Sequence, residues 1–173
     1  PVEAVVGDRW TTMIDCLRRV GETAARAGLT LAVETHGGVR VGEGGVEHFA
    51  SVTTEADTLT KMLSDLPDSV TLNYDPANLN AVGVTRPCEF IKPFWDRVNY
   101  VHLKDFKPIP GTPLVEPVAC GEGGLDWDQE LACLQDFSGP ALIEYENTED
   151  AVDGFQRSLA FINARMATIA EPR

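Results

Sequence analysis

Long apolar stretches are absent from the sequence. A helix that spans a membrane needs about 20 mostly apolar residues, and no run of that order occurs in the 173 residues. The first residues also lack the basic segment followed by an apolar one that marks a secretory signal. We therefore expect a cytoplasmic protein with no membrane partner.

Positive charge is scarce as well. The sequence has 14 Lys and Arg residues against 27 Asp and Glu residues, so its formal net charge is −13. Proteins that bind nucleic acid neutralise phosphates with clustered Lys and Arg, so we expect no nucleic-acid partner. Apolar residues make up 43% of the chain, which argues against disorder and suffices for a core. We therefore treat residues 1–173 as a single domain.

Cysteines are few, and their spacing carries no motif. The four are Cys16, Cys88, Cys120 and Cys133, and no two form a C-x-x-C pair. Isolated cysteines most often behave as small buried hydrophobes. We expect reduced, buried thiols without a chemical role.

Helical and strand patterns alternate along the chain. Apolar residues recur every three or four positions in the predicted helices, and the predicted strands are short apolar runs. The predicted helices cover 10–27, 54–66, a segment from Pro87, a segment from Trp127, and 151–166; the predicted strands cover 29–35, 70–75, 98–104 and 141–146. This alternation predicts the α/β class, with a parallel sheet covered by helices and about four βα units. The Gly-rich segment after the first strand and the Pro-rich segment 108–117 are expected to be loops, with His48 in solvent.

Polar side chains interrupt every predicted strand near its C-terminal end. Strands buried on both faces of a parallel sheet are usually almost wholly apolar. Here polar residues share one face, since side chains two residues apart point the same way. They are Glu34 and His36, Asp75, His102 and Lys104, and Glu144 and Glu146. In a closed barrel this face is the interior, and the C-terminal rim is where the active site lies.

Burying several carboxylates together is costly unless protons or a cation compensate their charge. Glu34, Asp75, His102 and Glu144 offer three carboxylates and one imidazole. Such a donor set suits Mn²⁺, Mg²⁺ or Co²⁺ and is compatible with Zn²⁺. The strand ends therefore predict one divalent metal ion.

The motifs around these residues resemble those of the sugar phosphate isomerase/epimerase superfamily. These proteins are the xylose isomerase-like TIM barrels, a group that also includes endonuclease IV. The motifs are LAVETHGG with Glu34, LNYDPANL with Asp75, YVHLKD with His102, CGEGGLDW, and ALIEYEN with Glu144. A full barrel needs eight βα units in about 250 residues. The chain therefore resembles the C-terminal half, strands five to eight, and is expected to be a half or truncated barrel.

The resemblance implies proton abstraction next to a carbonyl of a small sugar, keto-sugar or polyol, through a metal-stabilised enediolate. Glu34 and Glu144 would be the acid and base and would also bind the metal, together with Asp75 and His102. The implied substrate contacts are those of His36, Asn78, Lys104 and Glu146. Family members often carry His where Asn78 stands, so that contact differs here.

Other functions stay open from the residues alone. A lyase of the same family, such as a dehydratase of an inosose or a dehydroshikimate-like compound, shares the proton abstraction and differs in its leaving group. A non-catalytic half-barrel fragment, which pairs with a second copy or with a missing half, is another alternative. An endonuclease of the endonuclease IV type needs a three-zinc cluster with many more ligands than three histidines supply, which argues against it.

Overall fold

Four parallel strands form the central sheet of the protein, whose computed structural model describes residues 5–170. The strands run in the order β1-β4-β5-β8, and all three pairs are parallel. Their bounds are β1 Leu31–Glu34, β4 Val70–Tyr74, β5 Val98–Leu103 and β8 Ala141–Ile143. The predicted α/β class with about four βα units is confirmed, although β8 ends at Ile143 rather than at 146.

Helices lie at the five predicted places, and a further short helix that was not predicted, α3 at Pro76–Ala81, directly follows β4. Their bounds are α1 Asp8–Arg26, α2 Ala56–Asp65, α3 Pro76–Ala81, α4 Pro87–Ile91, α5 Trp127–Cys133 and α6 Ala151–Ala170, with a 3₁₀ helix over Lys92–Arg97. Proline begins α3 and α4, where its missing N–H costs nothing. Helix α2 begins later than predicted because the Thr54 hydroxyl bonds Ser51 instead of capping the helix.

Apolar packing covers one face of the parallel sheet. Val70, Leu72 and Tyr74 of β4 are fully buried. Helix α1 approaches β4 so closely that a β-carbon added at Gly21 would lie 2.6 Å from Val70 Cγ2, so this contact needs a residue without a side chain. Because side chains alternate along a strand, the opposite face of β4 carries Asn73 and leads to Asp75.

A second sheet, which the sequence did not predict, stands beyond the C-terminal ends of the parallel strands. It is antiparallel in the order β2-β3-β7-β6. We call it the rim sheet; its strands are β2 Gly38–Gly42, β3 Gly45–Phe49, β6 Asp105–Pro108 and β7 Leu114–Val118. The expectation of loops in these segments is therefore wrong, and His48 lies in β3. Ala77 of α3 packs against Phe106 and Val115 of the rim sheet, which fixes the sheet above the strand ends.

A disulfide joins α4 to α5. It links Cys88 and Cys133 across a sequence separation of 45 residues. The expectation of reduced thiols is wrong for this pair, because sequence spacing does not show which cysteines meet. Cys120 is a buried free thiol as expected, whereas Cys16 is free but exposed.

The parallel sheet is open at both sides within residues 5–170. Strands β1 and β8 each have one neighbour there, β4 and β5 respectively. None of the helices in this part of the chain is long and apolar enough to cross a membrane.

Candidate metal centre

Each of the four predicted ligand residues lies at the C-terminal end of a different parallel strand. Glu34 is the last residue of β1, and His102 lies next to the end of β5. Asp75 follows β4 directly as the N-cap of α3, and Glu144 follows β8 directly. One possible ligand atom of each residue lies within 4.8 Å of those of the others. The parallel sheet thus brings the four side chains to one point; we call this group of four side chains the metal centre because its donor set could hold a metal ion.

His102 is in contact with all three carboxylates. Its Nδ1 atom lies 2.9 Å from Glu144 Oε2, 3.4 Å from Glu34 Oε1 and 3.9 Å from Asp75 Oδ2. His102 Nδ1, Asp75 Oδ2 and Glu144 Oε2 are shielded from solvent, and none has a partner in hydrogen-bond geometry within the described chain. Three shielded donor atoms that converge fit a bound cation, and the oxygen-rich donor set suits a divalent one.

Protonated side chains balance the carboxylates while no metal is bound. The contact with His102 lowers the pKa of Glu144 to about 2, and the contacts with Glu144 and Glu34 raise the pKa of His102 to about 10. Burial raises the pKa of Asp75 well above its usual range, against the opposing charge of Lys104. Because imidazole binds metal ions in its neutral form, metal binding here is coupled to proton release.

Lys104 is a buried cation beside the metal centre. Its Nζ atom lies 2.6 Å from Glu144 Oε2, 3.2 Å from Glu146 Oε1 and 3.4 Å from Asp75 Oδ2. Burial alone would lower the pKa of its ammonium group, but these carboxylates raise it above its usual range. Lys104 therefore stays charged and orients Glu144 and Glu146.

Asn78 and His36 have different surroundings. Asn78 Nδ2 donates to Glu34 Oε1 at 2.8 Å, and its backbone N–H donates to Asp75 Oδ1 at 2.9 Å. Asn78 therefore orients two carboxylates of the metal centre. His36 lies beyond the end of β1, where its backbone N–H donates to Thr53 Oγ1. Its ring faces that of His48, with 5.9 Å between the centroids.

A buried carboxylate that the sequence did not single out fixes the turn of the CGEGGLDW motif. Asp105 accepts hydrogen bonds from the backbone N–H groups of Gly121, Gly123 and Leu125 and from Trp127 Nε1. A β-carbon at Gly123 would lie 2.1 Å from Asp105 Oδ1, so glycine is required there. Burial raises the pKa of Asp105 despite these donors. The motif is thus a turn, and it is anchored to the strand end beside the metal centre.

Two aromatic residues of the rim sheet border the metal centre without having been predicted. Lys104 Nζ lies 5.6 Å from the centroid of the Phe106 ring, and the His48 ring lies 5.0 Å from that of Phe106. Phe106 continues the alternation of His102 and Lys104 by one further step, which is the signal that could have indicated it. His48 had no such signal, because its strand is preceded by glycines.

Comparison with known proteins gives a match along most of the chain. The model of the family described as xylose isomerase-like TIM barrel matches residues 2–165. An inosose dehydratase from Clostridium botulinum is 28% identical over 154 residues, covering 80% of this chain and 48% of that protein.

Solved structures of similar fold extend the comparison. A D-allulose 3-epimerase from Methylomonas sp., in complex with D-allulose, has a TM-score of 0.68 at 18% identity and covers 92% of this chain and 56% of its own. The IOLI protein with a zinc atom has a TM-score of 0.67 at 18% identity and covers 90% of this chain and 55% of its own. At such identities the likeness shows the fold alone. The chain spans about half the length of each of these proteins.

Proposed function

The chain belongs to the xylose isomerase-like TIM-barrel family, and from this premise we propose that it carries the active centre of a sugar or polyol isomerase or epimerase. The observation behind the proposal is the convergence of Glu34, Asp75, His102 and Glu144 at the ends of four parallel strands. We assign the chain to strands five to eight of a barrel, as one domain. Members of this family include epimerases and dehydratases, so an enzyme is the general expectation.

We propose that the four residues bind one divalent ion, Mn²⁺, Mg²⁺ or Co²⁺, with Zn²⁺ as an alternative. Their oxygen-rich donor set and the convergence of their buried donor atoms support this assignment. A bound divalent ion would polarise the substrate carbonyl and stabilise the negative charge that develops when the adjacent carbon loses its proton.

Exposure separates the roles of the carboxylates. The Asp75 side chain is completely buried, whereas those of Glu34 and Glu144 are 28% and 33% exposed. Glu34 and Glu144 can therefore reach a substrate, and they extend from the two outer strands of the sheet. This arrangement supports Glu144 as the base and Glu34 as the acid, on either side of the reacting carbon. Asp75 is then a ligand only.

The neighbouring polar residues support the same assignment. Lys104 keeps Glu144 ionised, since its ammonium group lies 2.6 Å from the carboxylate, and an ionised carboxylate can accept a proton. Asn78 orients Glu34 through its Nδ2 atom, and its buried Oδ1 atom has no hydrogen-bond partner within the described chain. We assign substrate contacts to His36, Asn78, Lys104 and Glu146.

A dehydratase is the second candidate, because the inosose dehydratase is the sequence relative described above. Proton abstraction by Glu144 would be the same, and loss of a β-hydroxyl group would follow. The two reactions differ in product: the dehydratase product is lighter by one water, while an epimer has unchanged mass.

Solvent isotope exchange tests the proposal. Metal-loaded protein in D₂O should introduce deuterium next to the carbonyl of its ketose substrate, and Glu144→Gln should lose this exchange by at least about a hundredfold while still binding metal. Glu89→Gln, a surface carboxylate paired with Lys92, is the matched control and should exchange normally. Exchange at the wild-type rate in Glu144→Gln would remove Glu144 from the role of base.

A further inference from the structure

The pairing of the rim sheet places His48 on the face that looks toward the metal centre. Val46 pairs with Val115, and Phe106 pairs with Pro117. Residues directly opposite or two apart share a face of an antiparallel sheet. His48 therefore lies on the same face as Val115 and Phe106, which pack onto α3.

The His48 ring has aromatic neighbours but no hydrogen bonds. It lies between His36, at 5.9 Å, and Phe106, at 5.0 Å between ring centroids. Within the described chain its Nδ1 atom is shielded from solvent and has no hydrogen-bond partner. The Nδ1 atom thus leaves its hydrogen-bonding capacity unused, which is costly unless a ligand uses it.

The charge state of His48 determines which chemical groups of a ligand it can bind. Burial, together with the charges of His36 and Lys104, lowers the pKa of His48 to about 4, so the ring is neutral at neutral pH. A neutral imidazole has one donor and one acceptor nitrogen, and a hydroxyl group can pair with either. A hydroxyl therefore suits His48 in both tautomers, whereas a carboxylate or phosphate suits only the N–H.

The ammonium group of Lys104, whose charge acts on His48, is not free to bind an anionic ligand. Lys104 is already in contact with Asp75, Glu144 and Glu146, so its charge is compensated. The face of the Phe106 ring offers an apolar surface for the C–H groups of a carbon chain.

We propose that His48, Phe106 and His36 form a binding subsite for an uncharged, hydroxyl-bearing carbon chain, in which His48 binds a hydroxyl group remote from the reacting carbon. The proposal depends on the proposed function for the position of the reacting carbon at the metal centre. It narrows the substrate to an uncharged sugar or polyol without a phosphate group.

His48→Phe is the variant that tests this subsite, because it removes both ring nitrogens and keeps an aromatic ring beside Phe106. His48→Gln is a second variant, in which an amide again offers one donor and one acceptor. Glu47→Gln is the matched control, since Glu47 is the adjacent residue of β3, pairs with Arg40 and lies on the opposite face. Circular dichroism and Mn²⁺ affinity should be unchanged in all three variants.

Binding is measured with D-allulose and myo-inositol, as an uncharged ketose and polyol, on the Mn²⁺-loaded chain. For the compound that binds, His48→Phe should raise the Kd about tenfold, as expected for one lost hydrogen bond. His48→Gln should recover part of the lost affinity. If the compound is also turned over, His48→Phe should raise KM and leave kcat unchanged.

Imidazole NMR gives a readout independent of activity. The chain has three histidines, so the His48 ring signals are identified by their absence in His48→Phe. With diamagnetic Mg²⁺ or Zn²⁺ in place of Mn²⁺, they should shift on addition of the sugar in wild type and in Glu47→Gln.

The outcomes separate this subsite from the proposed function. Equal Kd values in wild type and His48→Phe, with no shift of the His48 signals, would overturn the subsite and leave the proposed function intact. Binding at His48 without any deuterium exchange would support the subsite and contradict the proposed function. Failure of the wild type to bind either compound would overturn the subsite and its substrate class.

Discussion

Asp75 is the carboxylate of the metal centre with the simplest role, since its side chain has no exposed surface. We predict that Asp75→Asn lowers affinity for Mn²⁺ at least tenfold, because it removes a charged ligand. His102→Ala should have a similar effect. Titration calorimetry measures both, and Asp128→Asn, an exposed carboxylate paired with Arg165, is the control.

Full metal affinity in Asp75→Asn or His102→Ala would show that the ligand assignment is wrong. Circular dichroism distinguishes this result from unfolding. Neither residue belongs to the apolar core of the sheet, and Asp75→Asn keeps the Oδ1 acceptor for the Asn78 N–H that caps α3.

His48 gives a prediction for pH dependence. Its pKa is about 4 in the folded protein and about 6.5 in an unfolded chain, so the unfolded chain binds more protons between these values. The contribution of neutral His48 to stability is complete above about pH 6.5 and is lost as the pH falls toward 4. Urea unfolding at pH 7 and 4.5 should show a larger loss in wild type than in His48→Phe. Equal losses would contradict the lowered pKa.

The residues of the metal centre were predictable because carboxylates and imidazoles are unusual at the ends of otherwise apolar strands. His48 and Asp105 were not, because their surroundings come from distant segments. Asp105 meets the turn at Gly121 and Gly123, and no local pattern reports such a contact.

At the level of elements, the α4–α5 contact is held by more than the disulfide. Glu130 of α5 accepts a hydrogen bond from the Cys88 N–H and another from the Tyr74 hydroxyl. Burial raises the pKa of Glu130 despite these donors. The network connects both helices to β4, directly behind Asp75.

Loss of the disulfide should destabilise the fold. Its loop of 45 residues corresponds to about 4 kcal/mol in the chain-entropy description. We predict that Cys88→Ser, or a reductant, lowers the free energy of unfolding by an amount of this order, measured with urea. Cys16→Ser, at an exposed free thiol, should have no effect. Free-thiol counting checks the pairing: four reactive thiols in the unfolded, unreduced protein would contradict it.

The parallel strands were predictable and the rim sheet was not, for one physical reason. Strands β4 and β5 carry buried apolar residues such as Leu72 and Val101, whereas β2 and β3 contain Gly38, Gly42 and Gly45. A β-carbon at Gly45 would lie 2.9 Å from Val115 O, so the glycines allow strand contacts that propensity does not indicate.

At the scale of the whole molecule, the parallel sheet has two edges without a further strand within residues 5–170. Strands β1 and β8 are its outer strands. Leu29, shortly before β1, is 66% exposed, and Leu142, within β8, is 52% exposed. Unpaired edges with exposed apolar residues promote association. The relatives described above are about twice as long as this chain.

We predict that the 18.8 kDa chain does not remain monomeric in solution. Light scattering after size exclusion should give a mass of a dimer or larger, and Leu142→Lys should reduce association by placing charge at the β8 edge. A stable monomer at micromolar concentration would contradict the open-edge interpretation. The metal centre is unaffected by either result, since all four of its residues lie in this chain.

Metal content tests the central claim most directly. Elemental analysis of the purified chain before dialysis should give about one divalent ion per chain. Treatment with a chelator should remove this ion, and reloading with Mn²⁺ should restore about one ion per chain. Asp75→Asn should carry far less. No bound metal in the wild type after reloading with Mn²⁺, Mg²⁺, Co²⁺ or Zn²⁺, or equal content in Asp75→Asn, would contradict the metal centre and with it the proposed chemistry.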